Sequence, residues 1–230
     1  MSRIIEHAQS GLKGFDCNTK LTAITASQLA TEYTFCLRYL SRHATEPHYD
    51  LDAAEVDLIM DAGLALMPVQ HVAPDQHGKG SGWNPSQALG ATYGERAAKH
   101  ARDAGILPGT NVWLDLENVH LPVSPQLVAA YCTAWYKEVA AAGFIPGIYI
   151  GFNCGLNSSQ LFYSLPFKHY WAASASSRFI KVYKRGYQMI QNRHDFKDPA
   201  SGVMIDSNIT QNDNFGDSVI WMRNQNTVLA

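Results

Sequence analysis

The chain has no CxxC pair, no run of like charge and no apolar stretch long enough to span a membrane. Each absence removes a class of protein. The four cysteines, Cys17, Cys36, Cys132 and Cys154, are scattered. They match neither a zinc site nor a disulfide framework, and Cys36 and Cys132 lie in apolar runs and read as core thiols. Lys and Arg (18) nearly balance Asp and Glu (20), for a net charge of −2. That excludes the electrostatic footprint of a nucleic-acid or anionic-membrane binder. The opening MSRIIEHAQSGLKGFD lacks the apolar core of a signal peptide. The expectation is a protein made in the cytoplasm, reaching the cell envelope only by lysis or a route other than general secretion. GLKGFD is not GxGxxG and precedes the first strand, which argues against a dinucleotide-binding sheet.

What is present is regular alternation. Strand-like runs occur at 14–18 (GFDCN), 35–40 (FCLRYL), 64–70 (LALMPVQ), 112–117 (VWLDLE), 147–152 (GIYIGF), 169–174 (HYWAAS), 187–192 (YQMIQN) and 203–208 (VMIDSN). Helical segments with cap and stop residues fall between several of them. Asp50 or Asp52 opens one that Gly63 stops, Pro85–Gly105 reads as another, and Ser124–Gly143 carries Pro125 in its first turn. With 46% hydrophobic residues, 230 residues can close one α/β barrel. The fold expected over 1–230, with its core at about 11–215, is a single (β/α)8 TIM-like barrel, irregular, its later helices short or degraded.

VWLDLEN (112–118) is the most informative stretch. Side chains alternate along a strand, so Asp115 and Glu117 emerge on one face and Leu114 and Leu116 on the other. Two acids at the end of a buried strand are costly unless something uses them, and glycoside hydrolysis uses paired carboxylates. In such barrels the site lies at the C-terminal strand ends. Those ends supply Asp16, Arg38 with Tyr39, Gln70, Asp115 with Glu117, Tyr149 with Asn153, Trp171, Gln191 (or Gln188), and Asp206 with Asn208. Aromatic faces stack on sugar rings and amides bind hydroxyls, while clustered acids raise at least one carboxyl pKa, as a general acid requires. The spacing calls for no metal and no cofactor.

GFD (14–16), RYL followed by LDAAEVDLIMDAGLALMPVQ (38–40 and 51–70), DLE (115–117), GIYIG (147–151), YWAA (170–173) and IDSN (205–208) recur in a familiar order. As a set they resemble the Rv2525c-like glycoside-hydrolase-like domain family and, more distantly, the glycoside hydrolase family 25 lysozymes, muramidases with an irregular β/α barrel. The resemblance implies that Glu117 is the general acid. It makes Asp115 the residue that orients or charge-stabilises the substrate's acetamido group, or the nucleophile, with Asp16 and Asp206 completing an acidic floor. Tyr149 and Trp171 would line the sugar cleft.

Residues two apart in a strand are separated by about 6.6 Å, which leaves retaining, inverting and substrate-assisted routes open. Three functions compete: a cell-wall glycosidase acting on peptidoglycan or a related amino-sugar polymer, an inactive glycan-binding barrel, and a metal-dependent phosphodiesterase. The scarcity of Lys, Arg and His at the expected mouth disfavours the last. The expected partner is a glycan, not nucleic acid or membrane, and no oligomeric state is specified.

Overall fold

The computed structural model describes residues 2–225 apart from Glu46, His77 and Leu121. In chain order the elements are β1 (Arg3–His7), β2 (Lys13–Cys17), α1 (Ala23–Leu29), β3 (Phe35–Leu40), α2 (Ala53–Asp61), β4 (Ala65–Gln70), α3 (Gln87–Asp103), β5 (Asn111–Leu116), α4 (Pro125–Ala141), β6 (Ile145–Ile150), α5 (Ser158–Tyr163), β7 (His169–Ala173), α6 (Ser174–Phe179), β8 (Met189–Lys197), β9 (Met204–Thr210) and β10 (Ile220–Asn224). Side-chain oxygens of Asp52, Ser86 and Ser124 cap α2, α3 and α4. Gly63, Gly105 and Gly143 follow these helices in left-handed conformations. No helix among the described residues is long and apolar enough to cross a membrane.

Eight strands close into a barrel in the order β4-β3-β2-β9-β8-β7-β6-β5, and β4–β5 pairing completes the ring. This is the expected irregular TIM-like barrel. The late helices α5 and α6 span only six residues each, and β8 passes to β9 with no helix at all. That last link sets the chief irregularity. The turn between them is closed by Asp198 N–H to Val203 O at 2.8 Å, too short for the crossover that parallel neighbours need. β9 is therefore antiparallel to both β8 and β2 and runs down from the mouth rather than up to it.

β1 and β10 form an antiparallel ribbon that joins the barrel through Met222 opposite Leu66. Trp221 of the ribbon is fully buried, with its ring 5.3 Å from that of Phe35. Two apolar layers result. One fills the barrel with Phe35, Leu37, Met67, Trp113, Trp171 and Met189. The other lies between barrel and helices and takes the opposite parity, including Cys36, Leu66, Leu114 and Leu116. All four cysteines are buried free thiols.

Candidate active site

On β5, Trp113 and Asp115 point into the barrel, and Glu117 continues the same row just beyond the strand. At the facing wall, Asp16 of β2 sits opposite Asp206 of β9. Because β9 descends, Asp206 reaches the mouth near the start of its strand. Amides hold the acids together. Gln191 Nε2 donates to Asp16 Oδ2 at 2.9 Å and to Asp206 Oδ2 at 3.0 Å. Asn208 Nδ2 donates to Asp16 Oδ2 at 2.8 Å, and Tyr39 Oη donates to Asp16 Oδ1 at 3.3 Å. The bulged β8 brings Asp195 N–H to Asp206 Oδ1 at 2.6 Å and His194 Nδ1 to within 3.9 Å of Asp206 Oδ2. A cavity of about 190 Å³ opens between Asp16, Tyr39, Asp195 and Asp206.

Glu117 is half-buried at the rim. A Cβ at Gly151 would lie 2.4 Å from Glu117 Oε2 and 2.5 Å from its Cβ, so the end of β6 must carry glycine for Glu117 to lie across it. Trp83 Nε1 donates to the Glu117 carbonyl at 2.8 Å, and Asn118, at φ 52°, turns the chain away. Gly151→Ala should displace the Glu117 carboxyl and cost about 10²-fold in any reaction that needs it, since misplacement by 1 Å has effects of that order. Comparing hydrolysis rate with melting temperature would separate this from general destabilisation.

Electrostatics follow from packing acids together. Asp16 is raised from 3.8 to about 7, first by burial and then by the charge of Asp206, against the hydrogen bonds of Asn208, Gln191 and Tyr39. Asp115 is pushed well above the carboxylate range by burial and by the charges of Glu117 and Asp16. Its Oδ1 is buried without a hydrogen-bond partner among the described residues. Burial and Asp206 raise Glu117, opposed by His194. Burial also raises Asp206, opposed by the Asp195 N–H.

The Asp16 shift has a stability consequence. Between its unfolded value and about 7, the folded protein holds a proton that the unfolded chain has released. This contribution favours folding at acid pH and is lost as pH rises through the folded value; at about 1.4 kcal/mol per unit it amounts to a few kcal/mol. The melting temperature of Asp16→Asn should therefore fall less than that of wild type between about pH 5 and about pH 8.

Other expected site residues take different places. Arg38 and Gln70 are corrected: both point outward, with the parity of Cys36 and Leu66, and are fully buried. Arg38 binds Glu55 through Nε at 2.7 Å and Nη2 at 3.2 Å and also donates to the carbonyls of Cys17 and Tyr49. Gln70 bridges the Ser41 and Tyr93 carbonyls and the Trp135 indole N–H. Neither has a free group to offer a ligand. Trp171, 1% exposed, has no open face. It packs on Trp113 and Tyr149 at 6.0 and 4.3 Å between ring centroids and donates to Asn208 Oδ1 at 2.9 Å. Tyr149 donates to Gln191 Oε1 at 2.7 Å. Trp171, Tyr149, Gln191 and Asn208 thus form a buried floor that positions the acids. Asn153 is exposed on the loop after β6. Tyr39, expected at the mouth beside Arg38, does point inward and bonds Asp16; residues beyond the expected set are the bulge residues His194 and Asp195, for which the sequence holds no local signal. Among the described residues, no group of three or more His, Cys, Asp or Glu has the geometry to hold a metal ion.

A closed irregular barrel with four carboxyls gathered at its mouth defines a glycoside-hydrolase-like domain. Residues 26–210 match the Rv2525c-like, glycoside hydrolase-like domain family, and the chain belongs to that family. Among curated proteins none matches it in sequence. Among solved structures, it is similar to the Mycobacterium tuberculosis Tat-secreted protein Rv2525c, with 17% identity, coverage of 91% of this chain and 99% of that one, and TM-score 0.62. It is similar to the Clostridium perfringens spore cortex lytic enzyme SleM, with 11% identity, 90% and 69% coverage, and TM-score 0.63. A family 25 glycosyl hydrolase from Bacillus anthracis shows 10% identity, 89% and 92% coverage, and TM-score 0.59. At these identities the likeness establishes the fold.

Proposed function

We propose that this protein hydrolyses the glycan strand of bacterial peptidoglycan as a retaining, muramidase-like glycoside hydrolase. The observation that carries the proposal is Glu117, half-buried at the rim with a raised carboxyl pKa, beside a buried Asp115 whose Oδ1 lacks a partner among the described residues. A raised carboxyl is a proton donor near neutral pH. Glu117 protonates the glycosidic oxygen as the bond to the anomeric carbon breaks, and then accepts a proton from the incoming water. Asp115 is the partner carboxyl: with the proton its raised pKa retains it orients the substrate's 2-acetamido group by a hydrogen bond, and in its ionised form it attacks the anomeric carbon. Asp206, held by the Asp195 N–H, supplies negative charge that favours the oxocarbenium-like transition state, while Asp16, raised to about 7, keeps its proton on the acid side of neutrality and helps fix Asp206 through the shared Gln191 amide. Tyr39 and Asn153 contact sugar hydroxyls from the rim, whereas Gln191, Asn208, Tyr149 and Trp171 act through the acids they hold. The fold likeness to a spore cortex lytic enzyme and a family 25 glycosyl hydrolase supports this assignment.

The test is the mass of products released from purified peptidoglycan after borohydride reduction. A new reducing end on N-acetylmuramic acid is expected. One on N-acetylglucosamine would make the enzyme a glucosaminidase, and the absence of any new reducing end would remove the hydrolase assignment.

A further inference from the structure

The hairpin that joins β8 to β9 puts no helix of its own over the gap between these two strands. A cavity of about 310 Å³ occupies that gap, against the turn that follows α1, and Lys13, Glu32, Tyr33, Asn192, Arg193 and Phe196 line it. It lies on the other side of the barrel wall from the acidic mouth, since the Asp206 and Asn208 side chains bond Gln191 and Asp16 inside the barrel whereas Ser207 between them lines this face. Three features mark it as a built site. Tyr33 is only 7% exposed and packs edge-on against Phe15 at 5.2 Å, yet its phenol has no hydrogen-bond partner among the described residues. Lys13, Arg193 and Glu32 line the same cavity and have no ion-pair partner among the described residues, whereas carboxylates elsewhere on the surface, such as Asp103 and Asp217, are paired. The Arg193 guanidinium lies over the Phe196 ring at 3.8 Å. Stacking there occupies its face and directs its in-plane N–H donors sideways, the geometry that binds a carboxylate through two hydrogen bonds.

We propose that this cavity binds a short peptide bearing both a free carboxylate and a free amine. Arg193 and Lys13 take the carboxylate, Glu32 takes the amine, and Tyr33 and Asn192 hydrogen-bond the peptide groups. Its volume lies at the small end of ligand sites, suited to two or three residues. The source of such a peptide is the stem peptide of peptidoglycan, an identification that rests on the function proposed above. The wall shared with the acidic mouth would let one polymer present its glycan to one side of the β8–β9 hairpin and its peptide to the other.

The experiment is a calorimetric titration of the full chain with the free stem tripeptide Ala-γ-Glu-diaminopimelate, with succinate and chitotetraose titrated in parallel. Binding of the tripeptide is expected to weaken by about tenfold in Arg193→Ala and by about threefold in Tyr33→Phe, the losses set by a charge-assisted and a neutral hydrogen bond. Arg193→Lys keeps the charge but loses the planar fork, and it should also bind the tripeptide less tightly than wild type. Glu117→Gln should bind the tripeptide as wild type does, so a failed glycosidase assignment leaves this result standing. No binding of the tripeptide at millimolar concentration, or equal binding by wild type and Arg193→Ala, overturns the site. Succinate binding as tightly as the tripeptide overturns the peptide assignment.

Discussion

Glu117→Gln should lower the rate of peptidoglycan hydrolysis by about 10²–10⁴-fold, the range a positioned general acid contributes, and should leave the fold intact. Glutamine keeps the shape of the side chain that lies across Gly151 but has no proton to give the leaving oxygen. The substitution also removes one member of a crowded set of acids. Glu117 is the largest charge raising Asp115, so its loss relaxes Asp115 toward ordinary carboxylate behaviour. The variant should therefore melt no lower than wild type. Reducing-sugar release measured beside a thermal melt would show both effects; a lost activity accompanied by a collapsed melt would not assign the acid.

The largest expected effect on stability lies on the other side of the barrel wall. Glu55→Ala should cost about 3–5 kcal/mol, the range for breaking a buried ion pair from one side. Both partners of the Arg38–Glu55 pair have fully buried side chains. Glu55 Oε1 accepts from Arg38 Nε and from the Leu21 N–H, each at 2.7 Å. The pair therefore ties β3, α2 and the segment entering α1 together. Removing the carboxylate strands a guanidinium that cannot deprotonate and leaves a buried N–H unpaired. Arg38→Leu combined with Glu55→Leu removes both charges, so the double variant should be more stable than the sum of the two single leucine losses predicts. Chemical denaturation of the four proteins of this cycle measures the coupling.

The same pair shows where the sequence was legible and where it was misread. Alternation along VWLDLEN places Asp115 and Glu117 together inside the barrel, as the structure does. Applied equally to FCLRYL, it sorts Phe35, Leu37 and Tyr39 inward and Cys36, Arg38 and Leu40 outward; applied to ALMPVQ, it sends Gln70 outward with Leu66. Polar chemistry at strand ends points Arg38 and Gln70 to the mouth, but parity is the stronger constraint and turns both outward. Read as the end of an ascending strand, Asp206 falls at the mouth. It reaches that position because β9 descends, and the short turn after β8 was the available signal. The β1–β10 ribbon had no such signal, because its two short strands lie more than two hundred residues apart and each finds its pairing only in the folded chain. The raised acids are likewise a property of packing: Asp16 and Asp206 are 190 residues apart in sequence and meet through one register pair and the Gln191 amide.

The most direct measurement is the pH profile of peptidoglycan cleavage by wild type and by Glu117→Gln. Because the Glu117 pKa is raised in the folded protein by burial and by Asp206, its acid form persists to higher pH than that of an exposed glutamate, and the proton it must donate is lost as pH rises further. Wild-type cleavage should therefore be present on the acid side of neutrality and fall along an alkaline limb, and that limb should be missing from any residual activity of Glu117→Gln. Cleavage by the variant at the wild-type rate with an unchanged alkaline limb would contradict the role of Glu117. No cleavage by wild type at any pH would contradict hydrolysis itself and favour a barrel that binds glycan without cutting it.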